Sequence, residues 1–307
     1  MSVRLVGDCA SDPPLGATAR GLGTARADDV VIGLGLVAVA RRAEALALSV
    51  RDPDARAALA KAIERVGAQI TIVEPADAWP VRVAAGEERV SAEALVCAAD
   101  AARGRAARRY VTIAGAVATP IVRAVDAGVS VAQVVAEAGP LVDDWLPVAG
   151  GAPAGRLVAR EAPVDDSLIL VLPARHEIVR RLRTPLADWL LRAVSACEGC
   201  RLCSDGCPTA LGGAPLRPHE AIATLASLRD DGTALTHTLA CTGCGLCDAI
   251  CPSSLSPRAL MIDVRDRLHA NGLPRTAPGA TDGGLDRALL TLRLGLQPYD
   301  APVALRL

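Results

Sequence analysis

The rhythm of apolar positions changes twice along the chain, and each change predicts a different kind of structure. In residues 1–105 short apolar runs alternate with longer, helix-like stretches. Val3–Val6 reads as a strand, followed by a loop rich in glycine and proline (Asp12-Pro13-Pro14, Gly16, Gly21, Gly23). Asp28 or Asp29 is placed to cap a helix through Val30–Arg41. Leu46–Val50 reads as a buried strand. Asp52-Pro53-Asp54 reads as a helix start, continued by Ala57–Val66 and stopped by Gly67. Gln69–Val73 is a second buried strand. Strand, helix and strand in that order predict a βαβ unit, hence a parallel sheet. Val81–Ala102 is poorly patterned, with a short strand expected at Leu95–Cys97.

From about residue 106 the apolar runs shorten. Tyr110–Ile113 and Ala118–Val122 read as two strands around a tight turn at Gly115, and Val131–Ala138 as a helix closed by Gly139-Pro140. Strands follow near Trp145–Val148, Arg156–Val158 and Leu168–Leu172. Several short strands with one helix predict a small β-grasp-like domain over 106–174. From His176 the pattern is helical: Leu186–Val194, then a helix started by Pro218 through Ala221–Arg229, then Arg258–His269 opened by Pro257. After a linker, Gly272–Gly284, the positions Leu285, Leu289, Leu292 and Leu296 stand at helical spacing. They predict an amphipathic tail that docks on its own domain or on a partner. The expected division is therefore 1–105, 106–174, 175–270 and 271–307.

Composition narrows the function. A chain of 307 residues carries two or three domains. Hydrophobic residues make up 51%, so core formation is not limiting, but phenylalanine is absent and the core must be aliphatic. Lys61 is the only lysine, and net charge is −1, which argues against a polyanion-binding surface; nucleic acid is not expected as a partner. The longest apolar run, Val30–Ala40, is about half a membrane span. No signal peptide is read at the N-terminus. Arg103, Arg105, Arg108 and Arg109 read as a solvated turn.

The cysteines carry the chemistry. Cys197, Cys200, Cys203 and Cys207 precede Pro208, and Cys241, Cys244, Cys247 and Cys251 precede Pro252. Each half reads C-x2-C-x2-C-x3-C-P, the ligand run of bacterial-type [4Fe–4S] proteins, in which the fourth cysteine ligates the other cluster. That assigns Cys197, Cys200, Cys203 and Cys251 to one cluster, and Cys241, Cys244, Cys247 and Cys207 to the second. Structural zinc is the competing reading, but it closes with four ligands and leaves a third cysteine and a trailing Cys-Pro unexplained. A disulfide framework does not suit a chain of this length. Gly199, Gly206, Gly243 and Gly245 let backbone pass close to an inorganic core. Cys9 and Cys97 read as isolated buried thiols. His176, His219, His237 and His269 read as polar surface residues. A Gly33-x-Gly35-x-x-Ala38 match with Asp52 further on is a weak dinucleotide fingerprint, set against a helix packed into a core. Cluster thiolates need a reducing compartment, so a cytoplasmic location is expected.

The order of these parts resembles the RnfC/PduS family, which groups the RnfC component of Rnf electron-transport complexes with the microcompartment cobalamin reductases. Ala27-Asp28-Asp29, Leu46–Val50 with Asp52, and the helix through Ala57–Ile63 resemble its flavin-type α/β domain. Val111-Thr112-Ile113-Ala114-Gly115-Ala116-Val117 and Val148-Ala149-Gly150-Gly151-Ala152-Pro153 resemble its soluble-ligand-binding β-grasp (SLBB) domain. The segment Leu294–Pro302 is more similar to the cobalamin-reductase branch. The family's glycine-rich flavin loop, GGAGFPT, has no match in residues 1–26, and Asp8-Cys9-Ala10-Ser11-Asp12 stands where the family has a longer acidic segment. The chain ends where the reductase branch continues into a barrel-like domain, so a shortened member is expected. The resemblance implies an α/β domain degenerate toward FMN, an SLBB-like domain and a helical domain with two [4Fe–4S] clusters. It implies an electron relay between a flavoprotein or ferredoxin and a redox enzyme, with microcompartment enzymes or shell as further partners. No residue is assigned a catalytic role. A flavin-dependent NADH:cobalamin reductase, an electron-transfer protein of the heterodisulfide-reductase type and a redox sensor are the alternatives.

Overall fold

The computed structural model describes all residues except 1–3, 82, 228–231 and 277–279. The first region holds β1 (Arg4–Asp8), α1 (Thr18–Ala25), α2 (Ala27–Arg41), β2 (Ala45–Ser49), α3 (Pro53–Val66), β3 (Thr71–Val73), β4 (Ala78–Trp79), β5 (Glu87–Ser91) and α4 (Ala92–Ala102). β1, β2, β3 and β5 form the parallel sheet that the βαβ pattern predicts, in the order β3-β2-β1-β5. The turn chemistry at α3 is as expected. The Asp52 side chain accepts the Ala55 N–H at 2.9 Å, Pro53 fills the first turn, and Gly67 at φ 68° ends the helix.

Three local expectations are corrected. Asp28 and Asp29 lie in the first turn of α2 rather than at its cap; Arg26 is the capping residue. Asp29 is instead buried, pairing with Arg26 and Arg103. With Arg105 and Arg26 also pairing to buried Asp100, much of the supposed solvated arginine turn is an ion-pair network. Finally, Leu95–Cys97 lies in helix α4, not in a strand. Ser91 caps that helix by accepting the Ala94 N–H at 3.2 Å, and the alanine-rich sequence that follows favours helix over strand. Within α2, a Cβ on Gly33 would lie 2.0 Å from the Leu95 carbonyl oxygen. Gly33 therefore lets α2 and α4 pack closely, and the Gly33-x-Gly35 segment is helix rather than a phosphate turn.

The second region holds β6 (Arg109–Gly115), β7 (Ile121–Val125), α5 (Val131–Ala138), β8 (Trp145–Ala149), β9 (Arg156–Leu157) and β10 (Leu168–Pro173). β6 and β10 run parallel at the centre of a mixed sheet, with antiparallel neighbours β7 and β8 outside them. Ser130 and Gln133 close a capping box on α5. One sheet face, with Val111, Ile113, Ile121, Ile169 and Val171, packs against Val134 and Val135 of α5. The other face, with Ala114, Val148, Leu168, Leu170 and Leu172, packs against later parts of the chain.

Those later parts are α6 (Glu177–Arg183), α7 (Leu186–Ala196), α8 (Leu202–Asp205), α9 (Pro208–Leu211), α10 (Pro218–Ser227), α11 (Gly232–Thr236), α12 (Leu246–Ile250), α13 (Pro257–Ala270), β11 (Leu285–Asp286), α14 (Arg287–Arg293) and β12 (Ala304–Arg306). The expected end of the helix at Arg229 lies outside the described residues. α7, α10 and α13 share a core of Trp189, Ala193, Ala221, Ile222, Leu260 and Met261. The last stretch is woven into the rest: β11 pairs with β4, and β12 adds a parallel edge strand to β7. The expected stripe is displaced as well. Leu289 and Leu292 are exposed, whereas Leu290, Leu294 and Leu296 are buried beneath the mixed sheet. Helix α14 ends at Arg293, so 3.6-residue spacing does not carry through to Leu296. Among the described residues, no helix is long and apolar enough to cross a membrane.

Candidate metal centre

The two cysteine runs fold as structural repeats. Cys197 caps the end of α7 at φ −77°, ψ 113°, and its counterpart Cys241 follows a short 3-10 turn at φ −66°, ψ 122°. Cys207 (φ −78°, ψ 114°) opens α9 at Pro208, and Cys251 (φ −66°, ψ 118°) ends α12 before Pro252. Between the second and third cysteines both loops turn left-handed, at Arg201 (φ 66°) and at Gly245 (φ 77°). Glycine is required only in the second loop. A Cβ on Gly245 would lie 2.7 Å from the Pro153 carbonyl oxygen, whereas Arg201 faces solvent. Gly206, by contrast, has ordinary negative φ and is small because Ile250 packs against it.

The thiols fall into two sets, and each set mixes the runs. Cys203 interacts electrostatically with Cys251, Cys197 and Cys200, and Cys251 with Cys200 and Cys197. Cys247 interacts with Cys244, Cys241 and Cys207, and Cys244 with Cys207 and Cys241. The fourth cysteine of each run is thus carried to the other run's first three. Cys207, Cys241, Cys244 and Cys247 line one narrow pocket together with Pro208, Gly243 and Met261. Among the described residues, no three His, Cys, Asp or Glu side chains converge as one metal ion requires. Cys9 is fully buried in the α/β core and belongs to neither set; Cys97 is only partly buried, with its thiol near the Arg108 carbonyl.

Burial pushes the Cys203 thiol up to about 12 and the Cys244 thiol up to about 11, and neighbouring thiols of the same set add to both shifts. Such groups stay protonated at neutral pH unless a bound cationic centre displaces the proton, which is the donor chemistry of a metal cluster. Backbone N–H groups already point at several sulfurs: Thr209 and Ala210 toward Cys207, Gly243 toward Cys241, Leu246 toward Cys244, Ser253 and Leu255 toward Cys251.

Each run is locked to a following helix by the residue after its third cysteine. Buried Ser204 accepts the His219 N–H at 3.1 Å, and its Oγ lies 2.7 Å from His219 Nδ1. Buried Asp248 accepts from Ser256 Oγ at 2.7 Å and from the Arg258 N–H at 2.8 Å. His219 and Arg258 each follow the proline that opens α10 or α13. His219 is therefore a bonded, half-buried lock rather than a free surface residue. Arg258 also ties the second cysteine loop to the mixed sheet. Its Nε donates to the Gly243 carbonyl at 2.8 Å and its Nη2 to the Ala154 carbonyl. Arg265 Nη1 donates to the Cys241 carbonyl at 2.9 Å. Sequence reasoning missed these residues. The shared signal was a polar residue after the third cysteine in both runs, with a helix-opening Pro-x further on.

The FMN held by the flavin-type domain of the family that the sequence resembles finds no matching cradle here. In parallel α/β sheets, ligands sit at the carboxyl ends of the strands, where helix N-termini hold phosphate. A cavity of about 440 Å³ lies there. Both helix N-termini beside it are taken by the chain's own carboxylates. Asp12 accepts from the N–H groups of Ala19 and Arg20, and Asp52 from that of Ala55. Arg20, Arg51 and Arg287 face Asp12, Asp52, Asp77 and Asp300 around the same cavity. Arg51 and Arg287 pair with Asp77 at 3.0 and 3.6 Å. These residues do not fit the phosphate of FMN.

Residues 196–256 match the family described as "4Fe-4S dicluster domain". Cobalamin reductase PduS of Citrobacter freundii and of Salmonella typhimurium are each 40% identical over 116 residues, 36% of this chain and 26% of the relative. The matched stretch thus spans about a quarter of the curated relatives' length. Two crystal structures of NAD+-reducing [NiFe]-hydrogenase share the fold. The H2-reduced form has a TM-score of 0.53 at 17% identity and covers 97% of this chain and 57% of its own. The air-oxidised form has 0.51 at 20%, covering 98% and 61%. At those identities the likeness concerns architecture alone. The cysteine runs, the dicluster domain and the identity to the cobalamin reductases agree with the resemblance to the RnfC/PduS family carried by the sequence.

Proposed function

We propose that this chain is an electron-transfer protein with two [4Fe–4S] clusters, one on Cys197, Cys200, Cys203 and Cys251, the other on Cys241, Cys244, Cys247 and Cys207. The observation that carries the reading is the partition of eight thiols into two crossed sets of four. A bound [4Fe–4S] cluster supplies reversible one-electron transfer, at a potential set by hydrogen bonds to sulfur and by exposure. The chain's own residues hold the thiolates, donate backbone N–H groups to the sulfurs and shield the second set from water. Residues 1–105 act as a degenerate flavin-type scaffold. Residues 106–174 act as an SLBB-like β-grasp, a reading supported by the order β7-β6-β10-β8-β9 with parallel central strands. Residues 175–270 form the dicluster domain, and 271–307 fasten the regions together. Electrons arrive from a flavoprotein or ferredoxin and leave to a redox enzyme, in the cytoplasm or in a microcompartment within it.

Because the curated relatives are cobalamin reductases, a flavin-dependent NADH reductase is the rival. A hydride carries two electrons and each cluster takes one, so a flavin is needed to divide the pair, and its placement is the protein's part. With both helix N-termini capped by aspartates, the isolated chain is expected to stay oxidised with NADH and to bleach with dithionite or a reduced flavoprotein. Anaerobic titration of the purified chain, with and without added FMN, checks this at the visible cluster absorbance. Rapid bleaching by NADH together with stoichiometric flavin released on denaturation would establish the rival.

A further inference from the structure

The two thiol sets differ in the charges that surround them. Cys207, Cys241, Cys244 and Cys247 share a narrow pocket, and Arg258 is the one charged side chain among the described residues that line it. The guanidinium is held from two sides. Its Nε donates to the Gly243 carbonyl at 2.8 Å, inside the second cysteine loop, and its Nη2 donates to the Ala154 carbonyl, in the loop between β8 and β9. Arg258 is also the second residue of α13, so the helix fixes its backbone.

No carboxylate matches this cation directly. Among the described residues Arg258 forms no salt bridge, and Asp248 accepts from its backbone N–H rather than from the guanidinium. Arg265 also reaches the loop, donating to the Cys241 carbonyl at 2.9 Å, but Asp266 matches its charge at 2.8 Å. Burial pushes the Cys241 thiol up, and Arg265 and Arg258 pull against it. The Cys197 set is different: after burial, the charges that act most on Cys203 and Cys251 are the thiols of their own set. A partly buried cation without a counter-ion is costly, because its lost hydration is not offset by a partner. Two carbonyl oxygens offset part of that cost, and an anionic centre in the same pocket offsets more.

We propose that Arg258 is the counter-cation of the centre on Cys207, Cys241, Cys244 and Cys247, and that it raises the potential of that centre and not of the other. The inference rests on the electron-transfer reading above and names the residue that tunes one of its two centres. Four thiolates outweigh the charge of a [4Fe–4S] core, so the assembled centre is anionic, and one added electron makes it more so. A fixed guanidinium in a pocket of low dielectric therefore favours the reduced form over the oxidised one. One electron enters, its donor is oxidised by one, and no proton or covalent bond is exchanged. Arg258 touches backbone carbonyls rather than sulfur, so it is a positioning residue that acts on the thiol set through the loop it holds and the charge it carries.

The test is a potentiometric titration of the full chain, prepared anaerobically with its clusters and followed by electron paramagnetic resonance. Two one-electron waves are expected, and the wave lost in Cys207→Ala marks the Cys241 set. Arg258→Gln keeps the backbone N–H to Asp248 and a side-chain donor but removes the charge. It is expected to weaken reduction of the marked centre about tenfold, a fall of about 59 mV in its midpoint, and to leave the other wave within about twofold. Arg258→Lys keeps the charge and loses the fork, and should hold the marked midpoint within about twofold of the unaltered protein. Waves unmoved by Arg258→Gln at full iron content, or a shift confined to the wave that survives Cys207→Ala, would overturn the role of Arg258 alone. Should Arg258→Gln hold too little iron to titrate, Arg258→Lys decides. Full iron with an unmoved midpoint supports the need for charge; lost iron or a shifted midpoint shows that the loop needs the fork instead, and overturns the inference. An unaltered chain that holds its iron but is not reversibly reduced would overturn the electron-transfer reading, and the inference with it.

Discussion

Replacing Cys207 by alanine is expected to abolish the cluster on Cys241, Cys244 and Cys247 and to spare the one on Cys197, Cys200 and Cys203, its neighbours in sequence. The reason is the crossing. Cys207 opens α9 and faces Cys241, Cys244 and Cys247 in their common pocket, while Cys251 completes the other set. The loss should be large, because three partly covered thiols, each pushed up by burial, then lack the fourth donor that holds a cuboidal core in place. Iron should fall from about eight to about four per chain. Electron paramagnetic resonance of the reduced protein should show one signal in place of two interacting ones. Selective loss of the Cys197 cluster would reject the crossing. Cys97→Ser, outside both sets, should leave iron content unchanged.

Removing residues 283–307 should be nearly as damaging, through the fold. The segment supplies β11 to β4 and β12 to the edge of β7, and it buries Leu290, Leu294 and Leu296 beneath the mixed sheet. Three leucines at about 1.5–3 kcal/mol each amount to roughly 5–9 kcal/mol. That is comparable with the whole net stability of a typical domain, about 5–15 kcal/mol. The truncated chain is expected to be insoluble or to melt far below the intact one, as thermal unfolding of the anaerobic protein would show. A soluble truncated chain with full cluster content would mean that the segment is a separate docking element.

The contrast between these two experiments follows what the sequence could and could not disclose. Cluster chemistry is local: eight cysteines at fixed spacing, each run closed by Cys-Pro, leave few structural solutions. Helix α3 was legible for the same reason, since Asp52, Pro53 and Gly67 each act within a turn of where they stand. The tail's docking on its own chain was legible, but its stripe was misplaced because its burial depends on partners far away in sequence. Leu290 and Leu289 are equally apolar, and their local spacing does not tell which of them the mixed sheet covers. Asp29 looked like a cap because nothing nearby announces Arg103 as its partner. The locks Ser204–His219 and Asp248–Arg258 were hidden because polar side chains beside cysteines resemble ordinary loop residues until a helix N-terminus is folded onto them.

Metal and sulfide analysis of the full chain, purified and kept under strict anaerobiosis, tests the central claim most directly. Two crossed [4Fe–4S] clusters predict about eight irons and about eight acid-labile sulfides per chain, reversibly bleached by dithionite. About two zinc ions per chain with no labile sulfide would contradict it, and would make the cysteine runs structural.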